Sequence, residues 1–188
     1  NGKGDLFHCE IVEIGSKKTI VSISKKETFA KINNLHIAIA PTKNNNRMEF
    51  FLEKATEIGI SEITPILCER SERKVIKNER MEKIILSAAK QSKSFHVPVF
   101  NEMISLSQFL KENKCKQNLI AHCEDEESKT DLFSYELKKN SEITILIGPE
   151  GDFTHKEIEL AKSHNFKEIS LGETRLRTET AGIVAATH

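Results

Sequence analysis

A chain of 188 residues with 38% apolar and 30% charged residues, 8 Gly and 4 Pro can fill one large domain, or a small domain joined to a medium one. It fits no disordered or low-complexity class. Its 28 Lys and Arg equal its 28 Asp and Glu, which excludes a polycation that coats nucleic acid or anionic membrane without specificity. The longest apolar runs, such as Ile143 to Ile147, fall far short of the roughly 20 residues that a membrane helix needs.

The chain opens Asn1-Gly2-Lys3-Gly4-Asp5, without Met or a signal-peptide pattern, and an N-terminal segment is expected to precede it. Residues 1 to 33 alternate in β fashion, with Phe7, Cys9 and Ile11 against His8, Glu10 and Val12, then Ile20 to Ile23 after a turn at Gly15 to Lys18. Antiparallel strands of a small barrel or sheet are predicted there. From residue 34 the style changes. Leu35 to Ala40 reads as a strand stopped by Pro41. Met48, Phe51, Leu52, Ala55 and Ile58 recur at helical spacing between capping asparagines and Gly59. A strand follows at Ile63 to Leu67, then a helix with Met81, Ile84, Ile85 and Ala88, then a helix opened by a capping box at Ser105 to Gln108. Leu119 to Ala121 and Ile143 to Ile147 read as buried strands, and Thr154 to Glu157 caps a helix carrying Ile158 and Ala161. Strands alternating with helices predict an α/β fold, a mostly parallel sheet covered on both faces.

Cysteines 9, 68, 115 and 123 lack CxxC spacing and are expected as reduced thiols. His122 and Cys123 are adjacent in a strand-like run, which sends their side chains to opposite faces and argues against a shared metal, so no metal site is expected. The neutral total hides opposed patches. Arg70 to Lys93 holds eight basic and three acidic residues, net +5, and Glu124 to Glu136 holds six acidic and one basic, net −5. Each stretch can be an ordinary solvated face.

Two late segments carry the chemistry. Ile147-Gly148-Pro149-Glu150-Gly151-Asp152-Phe153-Thr154 is a strand, a Gly-rich turn and a helix cap, placed where open parallel sheets bind ligands. It lacks the Gly-Lys-Ser/Thr of a P-loop and the GxGxxG of a dinucleotide fold. A purely structural turn is the alternative. Leu171-Gly172-Glu173-Thr174-Arg175-Leu176-Arg177-Thr178-Glu179-Thr180-Ala181-Gly182 joins a second glycine turn to two arginines and a helix start. Thr178 or Thr180 is expected to cap that helix, and Glu179 suits its positive end. Two arginines beside a glycine turn suggest an anion or nucleic-acid contact. An ordinary capped helix with surface charges is the alternative.

Taken with Lys54-Ala55-Thr56-Glu57-Ile58-Gly59, Glu69-Arg70-Ser71, Arg80 and Gln91-Ser92 ahead of Val97-Pro98, these segments resemble the RsmE family of small-subunit ribosomal RNA uridine N3-methyltransferases, in the SPOUT superfamily. The resemblance spans the chain and is strongest from residue 47. Two positions depart from it: Asp152 stands where many members have Gly, and Ser94 where many have Arg. It implies a knotted SPOUT-type methyltransferase domain over 34–188, preceded over 1–33 by part of a PUA-like β-barrel. It also implies a cytoplasmic homodimer that uses S-adenosylmethionine to methylate N3 of a uridine in 16S rRNA of the small ribosomal subunit. Ile147, Gly148, Pro149, Glu150, Gly151, Leu171, Gly172, Leu176, Thr178, Thr180 and Ala181 would hold the cofactor. Arg177 would stabilise the deprotonated uracil imide, and Glu179 would act as base or cap the last helix. Arg47, Lys54, Arg70, Arg73, Arg80 and Arg175 would meet RNA. A non-catalytic RNA-binding or ribosome assembly factor on the same scaffold, and a methyltransferase of small molecules, remain alternatives.

Overall fold

The structure is a computed structural model describing residues 1–31, 33–124, 129–135 and 141–187. Strands β1 (Asp5–Ile14) and β2 (Thr19–Thr28) form an antiparallel two-stranded sheet closed at Gly15 to Lys18, where the Gly15 N–H donates to the Lys18 carbonyl at 2.8 Å. Register shifts between His8 and Cys9, and between Ile11 and Glu13, break the strict alternation that the sequence suggests. Ile11, Val12, Ile14, Ile20 and Ile23 are all exposed. The base of the hairpin meets the remaining chain: the Gly4 N–H donates to the Phe95 carbonyl at 2.8 Å, and the Phe29 ring stacks on Phe95 at 3.9 Å.

The remaining elements alternate as the periodicity predicts. They are β3 (Leu35–Ile39), α1 (Asn45–Ile58), β4 (Glu62–Leu67), α2 (Asn78–Gln91), β5 (Val99–Phe100), β6 (Ile104–Ser105), α3 (Leu106–Glu112), β7 (Gln117–Ala121), β8 (Thr130–Asp131), β9 (Ile143–Ile147), α4 (His155–Ser163), β10 (Phe166–Ser170) and α5 (Thr178–Ala186). Every pairing in the main sheet is parallel, in the order β5-β4-β3-β9-β7-β10-β8, with β6 alongside β4. Consecutive residues of the central strands serve opposite faces. Ile37, Ile39, Ile145, Ile147 and Leu119 pack under Met48, Phe51, Leu52, Met81 and Ile85 of α1 and α2, with Ala185 of α5. Ala38, Leu146 and Ile120 pack under Phe109 and Leu110 of α3 and Ile158 and Ala161 of α4. Burial on both faces explains why these strands read as continuous apolar runs.

Helix ends follow the capping residues read from the sequence at α1 and α4 but not fully at α3 and α5. Asn44 caps α1, and Gly59 ends it at φ 97°, in the left-handed region. Thr154 and Glu157 form the reciprocal capping box of α4. At α3 only half of the expected box exists. Ser105 accepts from the Gln108 N–H, while the Gln108 side chain turns along the helix to Glu112 at 2.9 Å. At α5 the expected threonine cap is absent: Arg177 holds the cap position without a side-chain cap bond, because Thr178 already lies inside the helix and is buried.

Candidate functional site

Three neighbouring parallel strands, β9, β7 and β10, end on one edge of the sheet, with Ala121 in register with both Ile147 and Ile169. The segments leaving those ends enclose a cavity of about 690 Å³, within the range of small-molecule sites. One wall is the turn after β9 and a second is the segment from Leu171 to Arg177. The third is Ala121 to Glu124 with Lys129. Thr178 and Ala181 of α5 close it.

The turn after β9 is built tightly. The Asp152 N–H donates to the Pro149 carbonyl at 2.9 Å, and Phe153 is fully buried beneath. A Cβ on Gly148 would stand 3.0 Å from the Phe153 ring, tighter than an ordinary side-chain contact, so the turn lies close against its support. Gly172 has φ 116° with open space around a built Cβ, so backbone conformation rather than room favours glycine there. Glu150 accepts from the Lys43 N–H through Oε1 at 2.9 Å, and its buried Oε2 has no hydrogen-bond partner among the described residues.

Of the residues expected to hold cofactor, Ile147, Gly148, Pro149, Glu150, Leu171, Gly172, Leu176, Thr178 and Ala181 line the cavity. Gly151 does not, since its Cα faces the Arg70 side chain, and the exposed Thr180 is also outside the wall. Arg175 and Arg177 line the cavity. Glu179 is buried and does not line the cavity, with Arg47 Nε 3.6 Å from Oε1 and, among the described residues, no hydrogen-bond partner at Oε2. The other basic candidates engage the protein. Arg70 donates to the carbonyls of Gly151 (3.0 Å) and Phe153 (3.3 Å), and Arg73 to those of Thr42 (2.9 Å) and Lys43. Lys54 pairs with Glu53 and Glu57, and Arg80 with Glu49 at 2.7 Å. The acidic stretch of 124–136 falls partly outside the described residues.

Sequence reasoning missed the wall after β7. His122 and Cys123 lie beyond the strand's end rather than within it, and both line the cavity with Lys129. His122 is buried, with Nε2 2.9 Å from Glu168, whose other oxygen pairs with Lys162 at 3.1 Å. Burial pushes the His122 pKa down. The Lys129 ammonium donates to the carbonyls of His122 (2.9 Å) and Glu124. Burial, with Asp152 nearby, raises the Cys123 thiol. No local pattern marks these residues, because their relation to the glycine turns exists only once β7 lies between β9 and β10.

The chain matches the RNA methyltransferase domain family over residues 30–188. A Rickettsia conorii protein named ribosomal RNA small subunit methyltransferase E is 34% identical over 188 residues, covering 98% of this chain and 76% of that one. The chain belongs to the ribosomal RNA small subunit methyltransferase E family. A solved structure from Porphyromonas gingivalis superposes with a TM-score of 0.88 at 41% identity, covering 98% of this chain and 79% of the other. That of the Neisseria gonorrhoeae ribosomal RNA small subunit methyltransferase E, bound to S-adenosyl methionine, gives 0.83 at 26% identity, covering 98% and 78%. Within the family the cavity acquires a chemical meaning. Ile147, Pro149, Leu171 and Leu176 offer apolar surface for an adenine ring. The orphaned Oε2 of Glu150 offers an acceptor for a cationic or N–H-bearing group. These residues fit S-adenosylmethionine, which carries both. Among the described residues, no group of three or more His, Cys, Asp and Glu could hold a metal ion, and no helix is long and apolar enough to cross a membrane.

Proposed function

We propose that the protein is an S-adenosylmethionine-dependent methyltransferase that methylates N3 of one uridine in 16S rRNA of the small ribosomal subunit. It acts in the cytoplasm as a homodimer, with a knotted domain over 34–188 and the hairpin of 1–33 belonging to a PUA-like barrel. The observation that carries the reading is the cavity walled by both glycine turns, with Arg177 among its lining residues.

The cofactor supplies an electrophilic methyl group, so the protein must align the uracil nitrogen as that nitrogen loses its proton. Ile147, Gly148, Pro149, Glu150, Leu171, Gly172, Leu176, Thr178 and Ala181 hold the cofactor, with Gly151 and Thr180 supporting the turn and the helix start. The Arg177 guanidinium stabilises the negative charge that develops on the imide. Glu179 lies outside the cavity wall beside Arg47, which leaves it the role at the start of α5, and the N3 proton passes to solvent as the imide ionises ahead of methyl transfer. Arg47, Lys54, Arg80 and Arg175 meet RNA phosphates. Arg70 and Arg73 do so through N–H groups not spent on backbone carbonyls.

Transfer of label from S-adenosylmethionine to 30S subunits of a methylation-deficient strain tests the reading, with nucleoside digestion identifying the product. Labelled N3-methyluridine in 16S RNA is expected. Cofactor binding with label only in protein or small molecules would overturn the RNA substrate, and RNA binding without cofactor affinity would indicate an assembly factor.

A further inference from the structure

Asp152 has a backbone that an L-residue rarely adopts and a side chain that joins two walls of the cavity. Its φ is 63°, in the left-handed region. One carboxylate oxygen accepts from the Cys123 N–H at 2.7 Å, and the other from the Phe153 N–H at 2.8 Å. Asp152 belongs to the turn after β9 and Cys123 to the segment after β7, so the first bond crosses between the ends of adjacent strands. On its other side the same turn is held by Arg70, which donates to the carbonyls of Gly151 and Phe153, the two residues flanking Asp152. The turn is therefore fixed between the segment after β4 and the segment after β7, with Asp152 lining the cavity between them.

We propose that Asp152 is a positioning residue for the cofactor cavity: its carboxylate ties the Cys123 backbone to the turn after β9 and so sets the separation of the two walls. This rests on the reading of the cavity as the S-adenosylmethionine site. A glycine would adopt φ 63° without strain but cannot make the cross-link, so aspartate keeps a backbone conformation that favours glycine and gains the tie. Asparagine also tolerates the left-handed region, and its single acceptor oxygen can keep the Cys123 tie while its NH2 gives up the bond from the Phe153 N–H and the charge.

Asp152→Gly and Asp152→Asn separate these contributions. Hydrogen exchange at the Cys123 amide, read without cofactor, reports the cross-link itself: Asp152→Gly should exchange about tenfold faster or more, while Asp152→Asn stays near the parent rate. In calorimetric titration with S-adenosylmethionine, Asp152→Gly should bind about tenfold more weakly, the equivalent of one lost hydrogen bond. Its KM for the cofactor should rise with kcat within about threefold, and Asp152→Asn should restore most of the affinity. Unchanged exchange at Cys123, or parental cofactor affinity in Asp152→Gly, would overturn the proposal while leaving the cavity reading intact. A fall in kcat at constant KM would also overturn it. Absence of heat with the parent protein would overturn the cavity reading itself and the proposal with it.

Discussion

Gly182 sits on α5 where that helix crosses the Phe51 ring, and a Cβ there would stand 2.6 Å from the ring and 2.9 Å from Ile39 Cδ1. Both neighbours are fully buried and have nowhere to retreat. Gly182→Ala should therefore destabilise the protein by about 1–3 kcal/mol despite alanine's better helix propensity, measured as a lower urea midpoint at unchanged slope. At Arg177 the expected loss is in catalysis. The side chain reaches the cavity from an exposed cap position and carries no cap bond, so its removal should leave the helix intact. Arg177→Ala should lower kcat by about two orders of magnitude with S-adenosylmethionine affinity within about threefold, since the charge it answers develops on the uracil imide rather than on the cofactor. Parental turnover in single-turnover assays with 30S subunits would remove its assigned role.

The helix following the β9 turn shows how one local motif supports the site. The Thr154 hydroxyl and Glu157 carboxylate satisfy each other's backbone N–H groups, and Glu157 Oε1 also accepts from the Glu69 N–H at 2.8 Å. The capping box thus secures both α4 and the segment after β4 that carries Arg70. Thr154→Ala should cost about 1 kcal/mol in chemical denaturation, the usual loss for a hydroxyl N-cap. The last helix works differently. It has no polar stripe opposite an apolar one, and it buries small residues, Gly182, Ala185 and Ala186, against α1 and β3. Close approach rather than amphipathic patterning holds it in place.

For the whole molecule, buried His122 and partly buried His36 contribute to the response to acid. Burial holds His36 and His122 below the ordinary histidine pKa, the effect opposed by Glu62 at His36 and by Glu168 at His122. The unfolded chain then binds protons at a higher pH than the folded protein does. The stability these neutral rings contribute is complete above about pH 6.5 and is lost as pH falls towards their folded values. The melting temperature should accordingly fall between pH 7.5 and pH 5.5. His122→Gln, which keeps a donor for Glu168, should flatten that slope in calorimetric scans. A slope of opposite sign would contradict the assignment.

The sequence by itself determined the α/β alternation, the central strands and the main helices, because doubly buried strands and amphipathic helices leave periodic records along the chain. It also marked both glycine turns and the Arg175 to Ala181 run, which carry their signal locally. The two-residue strands β5, β6 and β8 are too short to leave a pattern. The hairpin's bulges depend on a partner strand, and the absent threonine cap on where α5 begins. Only the tertiary structure decided that β7 lies between β9 and β10, and with it the third wall of the cavity. His122, Cys123 and Asp152 come together through a sheet order that places strands distant in sequence side by side, and nothing in the linear chain records that order.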